Sequence, residues 1–204
     1  MSGRFRAFVA IKLAPTLVES LLKQRRLWQR AIPLRTVRWV QPHQFHLTLH
    51  FLGNLEADSI PALTNALRGQ LTGCAGVTLS LAGFGGFPSL SQPRVLWVGL
   101  EGDLDELGGI QERVRTASAG FGDADERREF RPHLTVGRVE TRSPSTIRAI
   151  GAAVEAMAPR VGGSWHAREV CLIRSVQTPN GSRYTDLAAF PLGIHLETPP
   201  PADS

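Results

Sequence analysis

His46-Leu-Thr-Leu-His-Phe-Leu52 and His133-Leu-Thr-Val-Gly-Arg-Val139 are the two stretches on which the reading of this chain turns. Each begins His-x-Thr-x, with apolar residues at both x positions. Each is followed by a helical segment and then an extended one. They lie 87 residues apart in a chain of 204. Side chains of a strand alternate between its faces. His46 and Thr48 therefore share one face, and Leu47, Leu49 and Phe51 the other. His133 and Thr135 stand in the same way against Leu134 and Val136. The apolar set can face helices while each His-Thr pair faces a cleft. One His-x-Thr-x tetrapeptide is a weak signal. Two copies, half a chain apart on extended segments, imply two similar lobes facing each other; two repeats do not make a solenoid.

The elements around them alternate. Phe5–Leu13 reads as a strand with Phe5, Ala7, Val9 and Ile11 on its apolar face. Pro15 opens a helix with the stripe Leu17, Val18, Leu21, Leu22 and Trp28. Arg35–Val40 is a short extended piece, and His43–Leu52 a strand ending at Gly53-Asn54. A helix capped by Asp58 or Ser59 carries Pro61 in its first turn. Val77–Phe84 and Arg94–Leu100 read as strands around a Gly/Pro-rich loop, Gly83–Pro93. A helix spans about Leu104–Ala119, a charged segment expected to be mobile covers Gly122–Glu129, and Phe130–Val139 is a strand. Pro144–Met157 is helical. Arg168–Gln177 and Arg183–Phe190 pair as a hairpin through Pro179-Asn180-Gly181. Such alternation argues for α/β or α+β. Residues 196–204 read as a disordered tail, after one bilobal domain over 1–195.

Composition is that of an ordinary globular protein: 42% hydrophobic and 20% charged. A chain of this size buries roughly 70% of its unfolded surface and folds without a metal or disulfide staple. Cys74 and Cys171, far apart and in no CxxC, read as buried reduced thiols. No apolar run approaches the length of a membrane span, and the first residues read as a strand rather than a signal peptide. The net charge is +5 and the sequence pI about 10.2, carried mainly by arginine. Guanidinium forks match phosphate geometry, so a polyanionic partner fits.

The paired motifs suit chemistry at phosphorus. In-line displacement removes a proton from the attacking oxygen and delivers one to the departing oxygen. Histidine ionises near neutrality, so one ring can accept while the other donates. The threonine hydroxyls can hydrogen-bond non-bridging oxygens, and a nearby arginine can balance phosphoryl charge. His43-x-x-His46-x-x-x-His50 has a superficial metal-site look. On a strand, however, His43 falls on the other face from His46, and no carboxylate or cysteine is near in sequence.

Beyond the two motifs, further segments carry a resemblance: Arg4 to Pro15, Val37-Arg-Trp-Val-Gln-Pro42, Gly83-Phe-Gly-Gly-Phe-Pro88, Pro93-Arg-Val-Leu-Trp-Val98, Phe130-Arg-Pro132 and the ending Arg183-Tyr184 with Phe190-Pro-Leu192. Over all but the tail, the chain resembles the bacterial and archaeal RNA 2′,3′-cyclic phosphodiesterases, also called 2′–5′ RNA ligases, of the 2H phosphoesterase superfamily. The resemblance implies an α+β fold of two similar lobes, each an antiparallel-rich sheet with helices on its outer face, around a central cleft. It implies His46 as proton donor, His133 as proton acceptor, and Thr48, Thr135 and Arg138 on the phosphate. Strict alternation puts Arg138 on the opposite face from His133; a bulge at Gly137 would re-aim it.

The same resemblance implies a cytoplasmic, monomeric enzyme without metal or cofactor. It would open RNA 2′,3′-cyclic phosphate ends to 2′-phosphates, with ligation of tRNA halves as the reverse reaction. An RNA-end-binding module with lost chemistry, and a sister 2H enzyme acting on ADP-ribose cyclic phosphate or 2′–5′ oligoadenylate, are the competing readings. His50 and Arg131 share the faces of the two histidines and are candidate cleft residues. Trp39, Phe84, Phe87 and Tyr184 are candidate base-stacking groups. His166 and His195 read as surface residues, and Arg25-Arg26 and Arg127-Arg128 as solvated faces.

Overall fold

The computed structural model describes residues 3–123, 129–156, 163–178 and 181–193. Its strands are β1 Arg4–Lys12, β2 Val37–Trp39, β3 His46–Glu56, β4 Val77–Phe87, β5 Val95–Gly102, β6 His133–Val139, β7 Ser164–Ala167, β8 Glu169–Thr178 and β9 Gly181–Pro191. Its helices are α1 Pro15–Ala31, α2 Ile60–Leu71, α3 Leu104–Ser118 and α4 Pro144–Ala156. Pro15 and Pro61 sit in the first turns of α1 and α2, where a missing N–H is not needed. Leu17, Leu21 and Trp28 of α1 are buried, as are Leu63, Leu67 and Leu71 of α2. Their spacing of four or seven residues is the stripe of a helix lying on a sheet.

The strands run in the order β7-β4-β5-β6-β3-β1-β8-β9, with β2 added on β6, and every pairing is antiparallel. The sheet has two halves. One holds β4 to β7 with β2; the other holds β1, β3, β8 and β9. They meet where β3 pairs with β6, and that pairing is a single register pair, Leu47 opposite Leu134. The fold is thus α+β with the two His-x-Thr-x strands as central neighbours. The lobes are not the two halves of the chain: β4 follows the first motif but joins the second motif's sheet half, and β8 and β9 return to the first.

One large core lies on the helix side of both halves. Val9, Leu47, Leu49, Leu96, Val98, Leu134, Val136 and Leu172 from the strands meet Leu17, Leu63, Leu107, Ile110 and Ile150 from the helices. A small second cluster, Phe8, Ala10, Cys171 and Ile173, lies on the opposite face of β1 and β8. Both cysteines are free thiols; Cys171 is buried as expected, whereas Cys74, just past the end of α2, is only half-buried.

Several boundaries differ from the sequence expectation. β3 begins at His46, because Pro42–Gln44 forms a tight 3-10 turn that takes His43 out of the strand. It continues through Gly53, whose φ of 68° a glycine tolerates, to Glu56. β4 runs on to Phe87, so the first five residues of the expected glycine-rich loop are strand. Gly85 is required there: a Cβ would fall 2.0 Å from the Trp97 ring, which lies across it from β5. β7 was not anticipated; four residues alternating exposed Ser164 and His166 with buried Trp165 and Ala167 are too short to stand out. Gly122 and Asp123, expected to be mobile, are tied to β3. The Asp123 carboxylate accepts from the Asn54 backbone and side chain, and its own N–H donates to the Leu52 carbonyl at 2.9 Å. The tail, His195, Arg127-Arg128 and Pro179-Asn180 of the hairpin turn lie outside the described residues. Among the described residues, no helix is long and apolar enough to cross a membrane.

The Leu47–Leu134 junction gives a direct test. Both side chains are fully buried. Leu134→Ala is expected to lower the free energy of unfolding by roughly 3 kcal/mol, as large-to-small core changes do. A loss below about 1 kcal/mol in urea titration contradicts the packing described.

Candidate active site

Parity within the two motif strands is broken at the same place. In β3, Ala10 pairs with Thr48 and Val9 with His50, so Leu49 is an extra residue. In β6, Trp97 pairs with Thr135 and Leu96 with Gly137, so Val136 is the extra residue. Both bulges directly follow the motif threonine. Each returns the sixth residue of its segment to the motif face. That residue is Phe51 in β3, exposed between half-buried His50 and buried Leu52, and Arg138 in β6, exposed between buried Gly137 and Val139. The bulged residue in β6 is Val136, one before the anticipated Gly137. At Gly137 a Cβ would meet Val37 at 2.7 Å and the Trp39 ring at 3.3 Å, so this glycine serves the packing of β2 on β6.

The two motifs open on one cleft of about 430 Å³, lined by His46, Thr48, His133, Thr135, Arg138 and Phe51. Arg6, Arg38, Gln41, Gln44, Gln177 and Tyr184 are among the residues at its rim. Antiparallel register about the Leu47–Leu134 pair sets His46 on the side of Thr135 and His133 on the side of Thr48.

Each histidine ring is fixed in the same way. His46 Nδ1 lies 2.6 Å from the Gln44 carbonyl, and His133 Nδ1 lies 2.6 Å from the Arg131 carbonyl. A carbonyl only accepts, so Nδ1 carries the proton in both rings. Nε2 is then the nitrogen left for chemistry. Aromatic rings support both. Phe8 stacks on His46 at 4.7 Å, and Tyr184 meets it edge-on at 5.3 Å. Phe87 meets His133 edge-on at 4.9 Å and leans on Trp97.

Enclosure has an electrostatic effect. Burial pushes the His46 imidazole down to about 4; the Gln44 carbonyl opposes this, while the positive ends of His133 and Arg138 reinforce it. Burial also lowers His133, with the Arg131 carbonyl opposing and Arg138 reinforcing. Both rings are neutral at pH 7 while the cleft holds no anion. A phosphate bound between them reverses the sign of the local potential and favours the charged ring.

The other expected site residues divide. Tyr184 lines the cleft as well as supporting His46. Trp39 borders the cleft, but its ring runs parallel to Trp28 at 6.3 Å and serves packing. Phe84 packs edge-on against Trp28 at 4.4 Å, away from the cleft. Phe87 braces His133 from outside the lining. His50 does not line the cleft: the Leu49 bulge pairs it with Val9, on the core side of the sheet. The Arg131 side chain turns to Glu129, 2.7 Å away, and serves the site through its carbonyl. Phe8, Gln44, Phe51 and Trp97 were not anticipated. Phe51 was hidden by the bulge, which no alternation rule signals.

Comparison with known proteins places the chain in a family. The model of the 2′-5′ RNA ligase superfamily matches residues 20–179, most of the chain. The chain belongs to that superfamily. It is 30% identical to the RNA 2′,3′-cyclic phosphodiesterase of Methanothermobacter thermautotrophicus, over 93% of this chain and all of the relative. It is 29% identical to the protein of the same name from Archaeoglobus fulgidus, over 91% of this chain and 99% of that one. Among solved structures, E. coli LigT with 3′-AMP superposes with a TM-score of 0.72 at 27% identity, covering 94% of this chain and 100% of LigT. A protein from Thermus thermophilus does so with 0.72 at 26% identity, covering 92% of this chain and 97% of that one.

The His46 environment predicts how stability follows pH. Its folded-state value, about 4, lies below the ordinary 6.5. The unfolded chain therefore takes up a proton that the folded chain refuses. Stability is full above pH 6.5 and declines as pH falls toward 4, by on the order of 3 kcal/mol from this group. His46→Asn removes that part of the slope. Urea midpoints at pH 7, 6, 5 and 4.5 for both proteins check it; parallel curves contradict the assignment.

Proposed function

We propose that this protein hydrolyses RNA 2′,3′-cyclic phosphate ends to 2′-phosphates by two-histidine acid–base chemistry. One observation carries the reading: two imidazoles, both fixed through Nδ1 to a carbonyl two residues back, face one arginine-bearing cleft from adjacent strands. His133 Nε2 takes the proton from an attacking water. The water oxygen bonds to phosphorus as the P–O3′ bond breaks, and His46, charged by the bound phosphate, gives its Nε2 proton to O3′. The Gln44 carbonyl holds the other His46 proton throughout. Thr48 and Thr135 hydrogen-bond the non-bridging oxygens, and Arg138 balances the charge that accumulates there. These groups account for the proton transfers and charge, so turnover is expected with chelator present. Phe51, exposed beside Phe8 at the cleft, is the base-stacking surface.

The relatives' names support the substrate class, and the solved LigT complexes with 3′-AMP, ATP, NADP+ and phosphate support a cleft suited to nucleotide phosphates. With a 5′-hydroxyl in place of water, the reverse reaction joins RNA halves through a 2′–5′ link; tRNA halves in the cytoplasm are its natural substrate. Hydrolysis ranks first, because water is in vast excess over RNA ends.

A cyclic-ended oligonucleotide incubated with enzyme and chelator should give a 2′-phosphate by phosphorus NMR. His46→Ala and His133→Ala should each lower turnover by at least ~10²-fold with circular dichroism unchanged. Near-wild-type activity in either variant overturns the mechanism. The pH dependence of kcat/KM should be bell-shaped, with its maximum below about pH 6.5, because both free-enzyme imidazoles are depressed. The kcat profile should lie at higher pH, since bound phosphate raises both rings. Coincident profiles would contradict this coupling.

A further inference from the structure

β2 pairs with β6 so that Arg38 stands directly opposite Arg138. Opposed residues share a face, with Cβ atoms roughly 5 Å apart, and like charges so placed destabilise the pair. Both arginines border the cleft of His46 and His133. Glu140, two residues on in the chain from Arg138, offsets part of the repulsion: it accepts from Arg38 Nε at 2.8 Å. That ion pair is half-exposed and correspondingly weak. Two guanidinium groups against one carboxylate leave this rim positive. Arg138 has a use at the reacting phosphate. Arg38 lies one strand spacing from Arg138, about 5 Å, on the edge of β6 that β3 also uses, and opening a cyclic phosphate does not call for it.

We propose that Arg38 forms a second phosphate subsite, which takes the phosphodiester on the 5′ side of the terminal nucleotide. The proposal rests on the phosphodiesterase reading above and adds what that reading lacks, a way to prefer an RNA chain over a cyclic mononucleotide. A chain held by its last phosphate must leave the cleft across a rim. A guanidinium fork there matches a phosphodiester oxygen pair. The anion also relieves the Arg38–Arg138 repulsion, so the unfavourable pairing becomes favourable once RNA is bound. Glu140 holds the Arg38 side chain at the rim and competes with the incoming phosphate for it. Arg6, across the cleft on β1, is the alternative holder.

Two probes differ by one phosphate: adenosine 2′-monophosphate and adenosine 2′,5′-bisphosphate. Calorimetry on the wild-type protein should show the bisphosphate binding about tenfold more tightly, the effect of one charge-assisted contact. In Arg38→Gln the ratio of the two affinities should fall to near one. In Glu140→Gln, which releases the Arg38 fork, the ratio should rise above the wild-type value. Equal affinities in the wild type overturn the subsite. So does Arg38→Gln weakening both ligands in equal proportion, or the ratio collapsing in Arg6→Gln but not in Arg38→Gln. Turnover of a 2′,3′-cyclic mononucleotide by the wild type separates the two levels. Turnover with no bisphosphate advantage overturns the subsite alone. No turnover overturns the phosphodiesterase reading, and the subsite with it.

Discussion

The backbone pair between Leu47 and Leu134 is the constraint on which the molecule depends. Among the described residues it is the one register pair that joins the two halves of the sheet. Both side chains point into the common core, so the pair is fixed by packing on one face. On the other face, the residues on either side of it are the two histidines and the two threonines. A slip of one residue between β3 and β6 would turn every side chain of one strand over. The core would lose Leu47 and Leu49, and the cleft would lose His46 and Thr48 together. Folding and site assembly are therefore the same event here.

Burial and chemistry pull against each other at His46. The ring is enclosed by Phe8 and Tyr184, which fixes its orientation but disfavours its charged form. The Gln44 carbonyl partly restores basicity, and the remainder has to come from the ligand. Gln44 is itself anchored: its side-chain amide donates to the Ser182 carbonyl on β9. His46 is thus positioned by a turn that is pinned to the far edge of its own sheet half.

Much of this was legible in the residues. Alternation alone placed His46 beside Thr48 and His133 beside Thr135, and the apolar x positions became the shared core. Helix stripes were readable because Leu17, Leu21 and Trp28, or Leu63, Leu67 and Leu71, repeat at helical spacing. Legibility failed where a strand departs from period two. The Leu49 bulge sent His50 to the core side and brought Phe51 to the cleft, the reverse of strict alternation. Gly85 and Gly86 read as loop residues, yet they lie in a strand because the Trp97 ring fills the space above Gly85. The aromatic residues that brace the histidines could not be named from sequence, since Phe8, Phe87 and Trp97 come from three strands brought together only by the sheet order.

The matched bulges carry a last consequence. Position by position, the two six-residue segments obey one design: histidine, core residue, threonine, bulged core residue, then a turn back to the cleft. A site with such near-twofold symmetry cannot on its own tell one bridging oxygen of a phosphodiester from the other. It would accept the ligand in two orientations related by that axis. Direction must come from the places where the halves differ, and within the segments the sharpest difference facing the cleft is the sixth position. One half presents a flat apolar ring, Phe51; the other presents a cation, Arg138. On the phosphodiesterase reading proposed above, the polarity of a bound chain follows from such mismatches, of which Phe51 against Arg138 is the sharpest at the cleft.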